Sequence, residues 1–190
     1  MTLYSYVVEH DNGYAPNPYH GFCTLVQCKI SKSGIRKNIV ELADKDDWIV
    51  GTGGNGIRSA GHGKIVYAMR VDERLPLRKF QKDKRFIKRD DNKHEVGDIS
   101  KRFALISYHY FYFGKNAVEI DKIEKKVINK IDHPLEKKGP GFRKDFNEEF
   151  VQGFINWIEK IYQPGRHGDP CGQKLIIRGA TKEKSKTKCN

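Results

Sequence analysis

One set of residues in this chain has types and positions suited to holding a nucleobase. Asp11, Asn17, Thr24, Lys29, Arg36, Asp47, Trp48 and Arg70 are polar or aromatic side chains placed beside β-rich runs. Asparagine and aspartate can pair with the edge of a base, while an indole or phenol ring can stack on its face for ~1 to 3 kcal/mol. The expected arrangement puts Asn17, Thr24, Trp48, Gly51, Thr52 and Gly53 around the base and Lys29 and Arg36 on phosphate. The same residues have plain structural uses. Trp48 in DWIVG also reads as the core aromatic of a short strand, and Asn17 between Pro16 and Pro18 as a turn residue.

A second set suits catalysis on a nucleotide. Cys23 could serve as a nucleophile beside His20 or His10, or Asp11 and Asp47 as acid and base, with Lys29 and Arg36 clamping phosphate. Against Cys23, a buried free cysteine commonly acts as a small hydrophobe. Cys23 and Cys28 are five apart, an odd separation that points them to opposite faces of a strand, so no metal site is expected. GTGGNG at 51–56 fits the dinucleotide fingerprint G-x-G-x-x-G. That motif must open a helix, whereas here more glycines follow and then a second strand, IVYAMRV. The glycines instead suggest a connection between strands whose amides can approach a ligand closely, and no cofactor is expected.

Charge points to a polyanionic partner. The chain carries a net +12, and 74–89, RLPLRKFQKDKRFIKR, holds eight basic residues against one acidic. The tail 178–190 holds five against one, and the rest is nearly neutral. Local excesses of this size attract nucleic acid through counterion release, with Arg78, Lys79 and Lys82 as phosphate contacts. A solubilising face is the plain alternative. No apolar stretch is long enough for a membrane-spanning helix, and MTLYSYVVEHDNG has neither the basic n-region nor the apolar h-region of a secretory signal. Four sparse cysteines make no disulfide framework, so a cytoplasmic location is expected.

Elements to position these groups follow from local pattern. Residues 3–9, 22–30, 48–51, 65–71 and 102–113 are rich in β-branched and aromatic types and read as strands. Leu77–Phe86 reads as a short helix with Leu77, Phe80 and Phe86 inward. Ile120, Ile123, Val127 and Ile131 recur at helical spacing, with Asp121 near the start. Phe146, Phe150, Phe154, Trp157 and Ile161 define a stronger helix, ended by Pro164 and Gly165. The expectation is one α+β domain over 1–177, mostly β to 113 and helical over 114–165, with a basic flexible tail at 178–190.

YSYVVEHDNGYAPNPYHGFCTLVQCK, then IRK, DWIVGTG and IVYAMRV, resemble the second type of nucleotide-modification-associated domain, with weaker echoes in GPGFRKDF and HGDPCG. APNPYHGFCT is the most specific block. The resemblance draws attention to Asp11, Asn17, Pro18, Cys23, Thr24, Lys29, Arg36, Asp47, Trp48, Gly51, Gly53, Tyr67 and Met69 without assigning them roles. The segment KNIVELADKD and the lysine-rich tail depart from it. The order of strand, glycine loop, strand and basic segment is also similar to the small β-barrels of PUA and EVE domains, which hold a modified base in an aromatic cage. Together these imply a nucleobase- or modified-nucleotide-binding domain of a base hypermodification pathway. Its partner would be nucleic acid or a nucleotide, with an extruded base stacked on Trp48.

Overall fold

The computed structural model describes residues 1–26, 38–87, 103–131 and 133–172. Lys29 and Arg36, much of the 22–30 run and the basic tail lie outside the described residues. The chain opens with β1 (Leu3–His10), β2 (Cys23–Val26), a single helical turn α1 (Ile39–Leu42), β3 (Trp48–Arg58) and β4 (Lys64–Arg70). Then come β5 (Glu73–Pro76), α2 (Leu77–Lys82), β6 (Phe103–Ser107), β7 (Tyr110–Tyr112) and β8 (Val118–Glu119). The turn α3 (Lys125–Ile128), β9 (Phe142–Arg143), the long helix α4 (Glu148–Ile161) and β10 (Gly165–Arg166) complete the order.

Seven strands form the larger sheet in the order β10-β7-β4-β3-β1-β9, with β8 pairing to β4. β1 runs parallel to β3, β3 antiparallel to β4, β4 antiparallel to β7, and β10 parallel to β7. Four strands, β1, β3, β7 and β10, therefore point the same way, and their carboxyl ends share one rim. The smaller sheet has the order β2-β6-β5 and is antiparallel.

Alternation along the strands sorts the side chains into stacked cores. Leu3, Trp48, Val50, Phe111 and Phe113 face α4 and meet Phe150, Phe154, Trp157 and Ile158. Tyr4, Tyr6, Val8, Ile49, Tyr67, Met69, Tyr110 and Tyr112 face the smaller sheet and meet Cys23, Leu25 and Leu105. On the far side of that sheet, Val26, Ala104 and Ile106 pack on Leu77, Phe80 and Phe86 from the α2 segment. The layers run from α4 through the larger sheet and the smaller sheet to α2. α4 forms where the pattern placed it: the Asn147 side chain caps it by accepting from the Phe150 N–H at 2.8 Å, and Glu148 and Glu149 occupy its first turn.

Three expectations change. The PUA/EVE-like barrel is replaced by two open sheets, because the aromatic run 102–113 does not stay in one ladder. It breaks at Ser107–His109, where Ser107 Oγ donates to the His109 carbonyl at 2.8 Å and the Tyr108 N–H reaches Asp72 Oδ2 at 2.6 Å. β6 then joins the smaller sheet and β7 the larger. The glycine run is not a loop: residues 51–58 continue β3, and a Cβ at Gly51 would run into the Tyr67 ring packed across it. The helix expected through Ile120–Ile131 is cut short, because Val118 pairs with Ile65 and the Ile120 N–H bonds the Gly63 carbonyl at 2.8 Å. Ile123 is extended at φ −60°, ψ 133°, which separates a 3₁₀ turn at Ile120–Lys122 from the single turn α3.

Trp48 is 2% exposed, stacked on Phe111 at 6.4 Å and edge-on to His109 at 5.8 Å. Trp48→Ala is expected to cost about 3 to 5 kcal/mol in urea denaturation. A loss below about 1 kcal/mol would show that the indole is not a core element.

Candidate functional site

The rim at the carboxyl ends of β1 and β7 carries a fully buried carboxylate, Asp11. The Tyr112 hydroxyl donates to its Oδ1 at 2.6 Å, and the Cys171 N–H donates to Oδ2 at 3.1 Å. The main chain is tied too, with the Asp11 N–H on the Arg58 carbonyl at 2.8 Å and the Gly172 N–H on the Asp11 carbonyl at 2.8 Å. Burial holds the Asp11 carboxyl above its ordinary value, while Tyr112 and the Cys171 and Gly13 N–H groups pull it back. Burial and the neighbouring carboxylate push the Cys171 thiol up to about 11 and the Tyr112 phenol far above its usual range. At neutral pH both keep their protons and serve Asp11 as donors. Cys171 is therefore not a thiolate nucleophile here.

Outside this cluster, the Arg166–Asp169 segment forms one wall of an opening of about 510 Å³ that Lys115 and Asn116 line from the other side. The opposite wall is the turn after β7, held by the Lys115 N–H on the Asp169 carbonyl at 2.8 Å and by Asn116 Nδ2 on the His167 carbonyl at 2.8 Å. The Arg166 guanidinium lies 4.6 Å over the Tyr19 ring, bonds the Gly168 carbonyl at 3.0 Å and pairs with Asp169. A larger opening of about 780 Å³ lies between β8 and the Pro134–Glu136 segment. Its charged lining of Glu119, Asp121, Lys125 and Glu136 is acid-rich and suits no anion.

A third feature is the outer face of α2. Leu77 and Phe80 point inward, and Arg78, Lys79, Lys82 and the following Lys84 are exposed with no carboxylate partner among the described residues. The nearby acids are already engaged. Arg85 meets Glu73 at 2.6 Å and Asp83 at 2.7 Å, which holds both carboxyls below their ordinary range. Arg85 also reaches the hydroxyl of Tyr108, a ring 45% exposed and edge-on to Phe22 at 5.1 Å.

The expected base pocket is not assembled. Trp48 faces α4, whereas Asn17 and Thr24 belong to the smaller-sheet side of the larger sheet, joined to each other by paired backbone bonds of 2.9 and 3.0 Å. The Asn17 side chain accepts from the Tyr19 N–H at 3.3 Å, which is turn geometry. Thr52 is buried with its hydroxyl 3.3 Å from the Tyr6 carbonyl, and Gly51 and Gly53 lie in the parallel ladder opposite Tyr6 and Val8. Nor do the two carboxylates form an acid–base pair. Asp47 staples the start of β1 by accepting from Thr2 N at 2.6 Å and Asp44 N at 3.0 Å, whereas Asp11 follows its end, roughly 30 Å away at 3.3 Å per residue. Cys23 is fully buried between the sheets. Tyr112, Cys171, Lys115, Arg166 and Tyr108 were not singled out by sequence; the only signals were the HGDPCG echo and the aromatic density of 102–113. Among the described residues no cluster of three or more His, Cys, Asp or Glu could hold a metal, and no helix is long and apolar enough to cross a membrane.

A carboxyl whose pKa is raised on folding adds stability that is fully present below its unfolded value, here 3.8, and lost as pH rises through the folded value. Wild type should therefore lose stability relative to Asp11→Asn as pH climbs from 3.8 through that higher value, read by urea denaturation at a series of pH values. A difference that stays flat, or grows with pH, would contradict a desolvated carboxyl.

No curated protein and no solved structure matches the chain. A sequence model described as nucleotide modification associated domain 2 matches residues 1–98 and 89–176. These matches run from β1 through the segment that closes over Asp11 and carries Arg166, and the chain belongs to that family.

Proposed function

We propose that this protein binds nucleic acid within a base-modification pathway, laying the sugar-phosphate backbone along α2 and a base against Tyr108. Membership of the nucleotide modification family supports the pathway. The observation that carries the binding reading is the row of exposed cations Arg78, Lys79, Lys82 and Lys84, without a carboxylate partner among the described residues, followed by Arg85, which reaches a half-exposed tyrosine ring. Cations with no internal partner are free to displace counterions from phosphates, and they fix register without reading sequence. An aromatic ring next to such a row offers a stacking face that any base can use, the device common to single-strand binders. Arg85 serves the surface indirectly: by neutralising Glu73 and Asp83 it removes the two carboxylates that would oppose a phosphate. Binding is favoured over covalent catalysis because Cys23 is sealed in the core and Asp11 and Asp47 sit at opposite ends of a strand.

Fluorescence anisotropy with labelled single- and double-stranded oligonucleotides, between about 50 and about 200 mM salt, tests this. The triple reversal Arg78→Glu, Lys79→Glu, Lys82→Glu should weaken binding evenly across sequences. It should also flatten the log–log salt slope by about 0.7 per lost phosphate contact on single strands. Tyr108→Ala should cost about 1 to 3 kcal/mol on single strands and little on duplex. Unchanged affinity and salt slope in the triple variant would overturn the proposal.

A further inference from the structure

We infer that the opening between the turn after β7 and the Arg166–Asp169 turn is a second site, which takes the phosphate of a free nucleotide on Lys115 and Arg166. The two turns are built to sit against each other. A Cβ on Gly114 would strike the Asp169 carbonyl, and one on Gly168 would strike the Phe113 carbonyl, so only glycine allows this approach. The result brings together cationic and amide groups 51 residues apart in the chain, at the rim where the co-directional strands end.

Each group is placed for an anion. Lys115 is exposed and has no carboxylate partner among the described residues, so its ammonium is available. Arg166 lies over the Tyr19 ring and gives its Nε to the Gly168 carbonyl and its Nη2 to Asp169, which leaves Nη1 outside these bonds at a residue that lines the opening. Asp169 lines the same opening, but its charge is offset by Arg166, and the lining keeps a net positive balance from Lys115. His167 is fixed by its near-parallel stacking on Phe113 at 5.3 Å and by a 2.8 Å contact of Nε2 with the Gln163 carbonyl.

The volume argues for more than a bare ion. About 510 Å³ is several times what a phosphate fills and lies within the range of small-ligand pockets, leaving room for the attached sugar. The site is separate from the α2 surface and depends on the nucleic-acid reading only for the choice of nucleotide as ligand. A protein with both sites would hold a polymer on one face and a nucleotide on another.

Isothermal titration of the full chain with inorganic phosphate and with a nucleoside 5′-monophosphate tests the inference, alongside Lys115→Glu, Arg166→Gln and the α2 triple reversal. Saturable binding is expected, tighter for the monophosphate than for phosphate. Lys115→Glu and Arg166→Gln should each weaken it about tenfold or more, as loss of a charged hydrogen-bond partner does. The α2 triple variant should keep monophosphate binding while losing oligonucleotide binding, and Lys115→Glu should do the reverse, so the two proposals fail separately. Because Lys115 is exposed, its variant should also keep the wild-type melting temperature. No saturable binding to wild type, or binding indifferent to Lys115→Glu, overturns the site. Equal affinity for phosphate and monophosphate overturns the nucleotide as its ligand.

Discussion

The Asp11 carboxylate is the constraint on which the rim depends. It is buried, so each of its lone pairs needs a donor, and the donors come from segments 101 and 160 residues away, the Tyr112 hydroxyl and the Cys171 N–H. An unsatisfied buried carboxylate would cost several kcal/mol, so the Cys171 N–H adds to the β10–β7 pairing and to the Lys115 N–H on the Asp169 carbonyl in holding the 165–172 segment. Once that segment is held, Arg166 lies over Tyr19 and the turn after β7 acquires its second wall. The cationic opening therefore borders a buried carboxyl satisfied by hydrogen bonds rather than by an ion pair.

Between the two sheets five tyrosines pack among the aliphatic residues. Tyr6 and Tyr67 join hydroxyls at 2.8 Å, and the Tyr110 hydroxyl reaches the Pro18 carbonyl at 3.3 Å. Each ring fills volume while its hydroxyl finds a partner, so polar handles are brought inside without orphaned donors. The same pairing fixes the 11–22 loop, because Pro18 and Asp11 are both held from below by β7.

Much of the secondary structure was legible from side-chain alternation and spacing. β1 and β4 lie within a residue of their expected bounds, and α4 carries the predicted Phe150, Phe154 and Trp157 inward. Less legible was which sheet a strand would join. Nothing local in RFALISYHYFYF announces that Ser107 and Asp72 will break the ladder and send its halves to different sheets. Trp48 shows the same limit: alternation gives its parity with Val50, but which face α4 would cover is decided by residues a hundred positions later. Asp11 was legible as a polar group beside a strand. Its partners were not, because a hydrogen bond between residues 11 and 112 leaves no trace in the spacing of either segment.

The parallel pairing of β1 with β3, and its antiparallel pairing with β9 on the other side, also set when the protein can fold. The first strand to leave the ribosome stays unpaired until residue 48 appears on one edge and residue 142 on the other. Its terminal carboxylate then waits for residue 171. High contact order of this kind slows folding and keeps an apolar edge open during synthesis. Asp11 carries the same dependence to the far end of the chain: its carboxyl gains the Cys171 N–H only once about nine-tenths of the residues have been made.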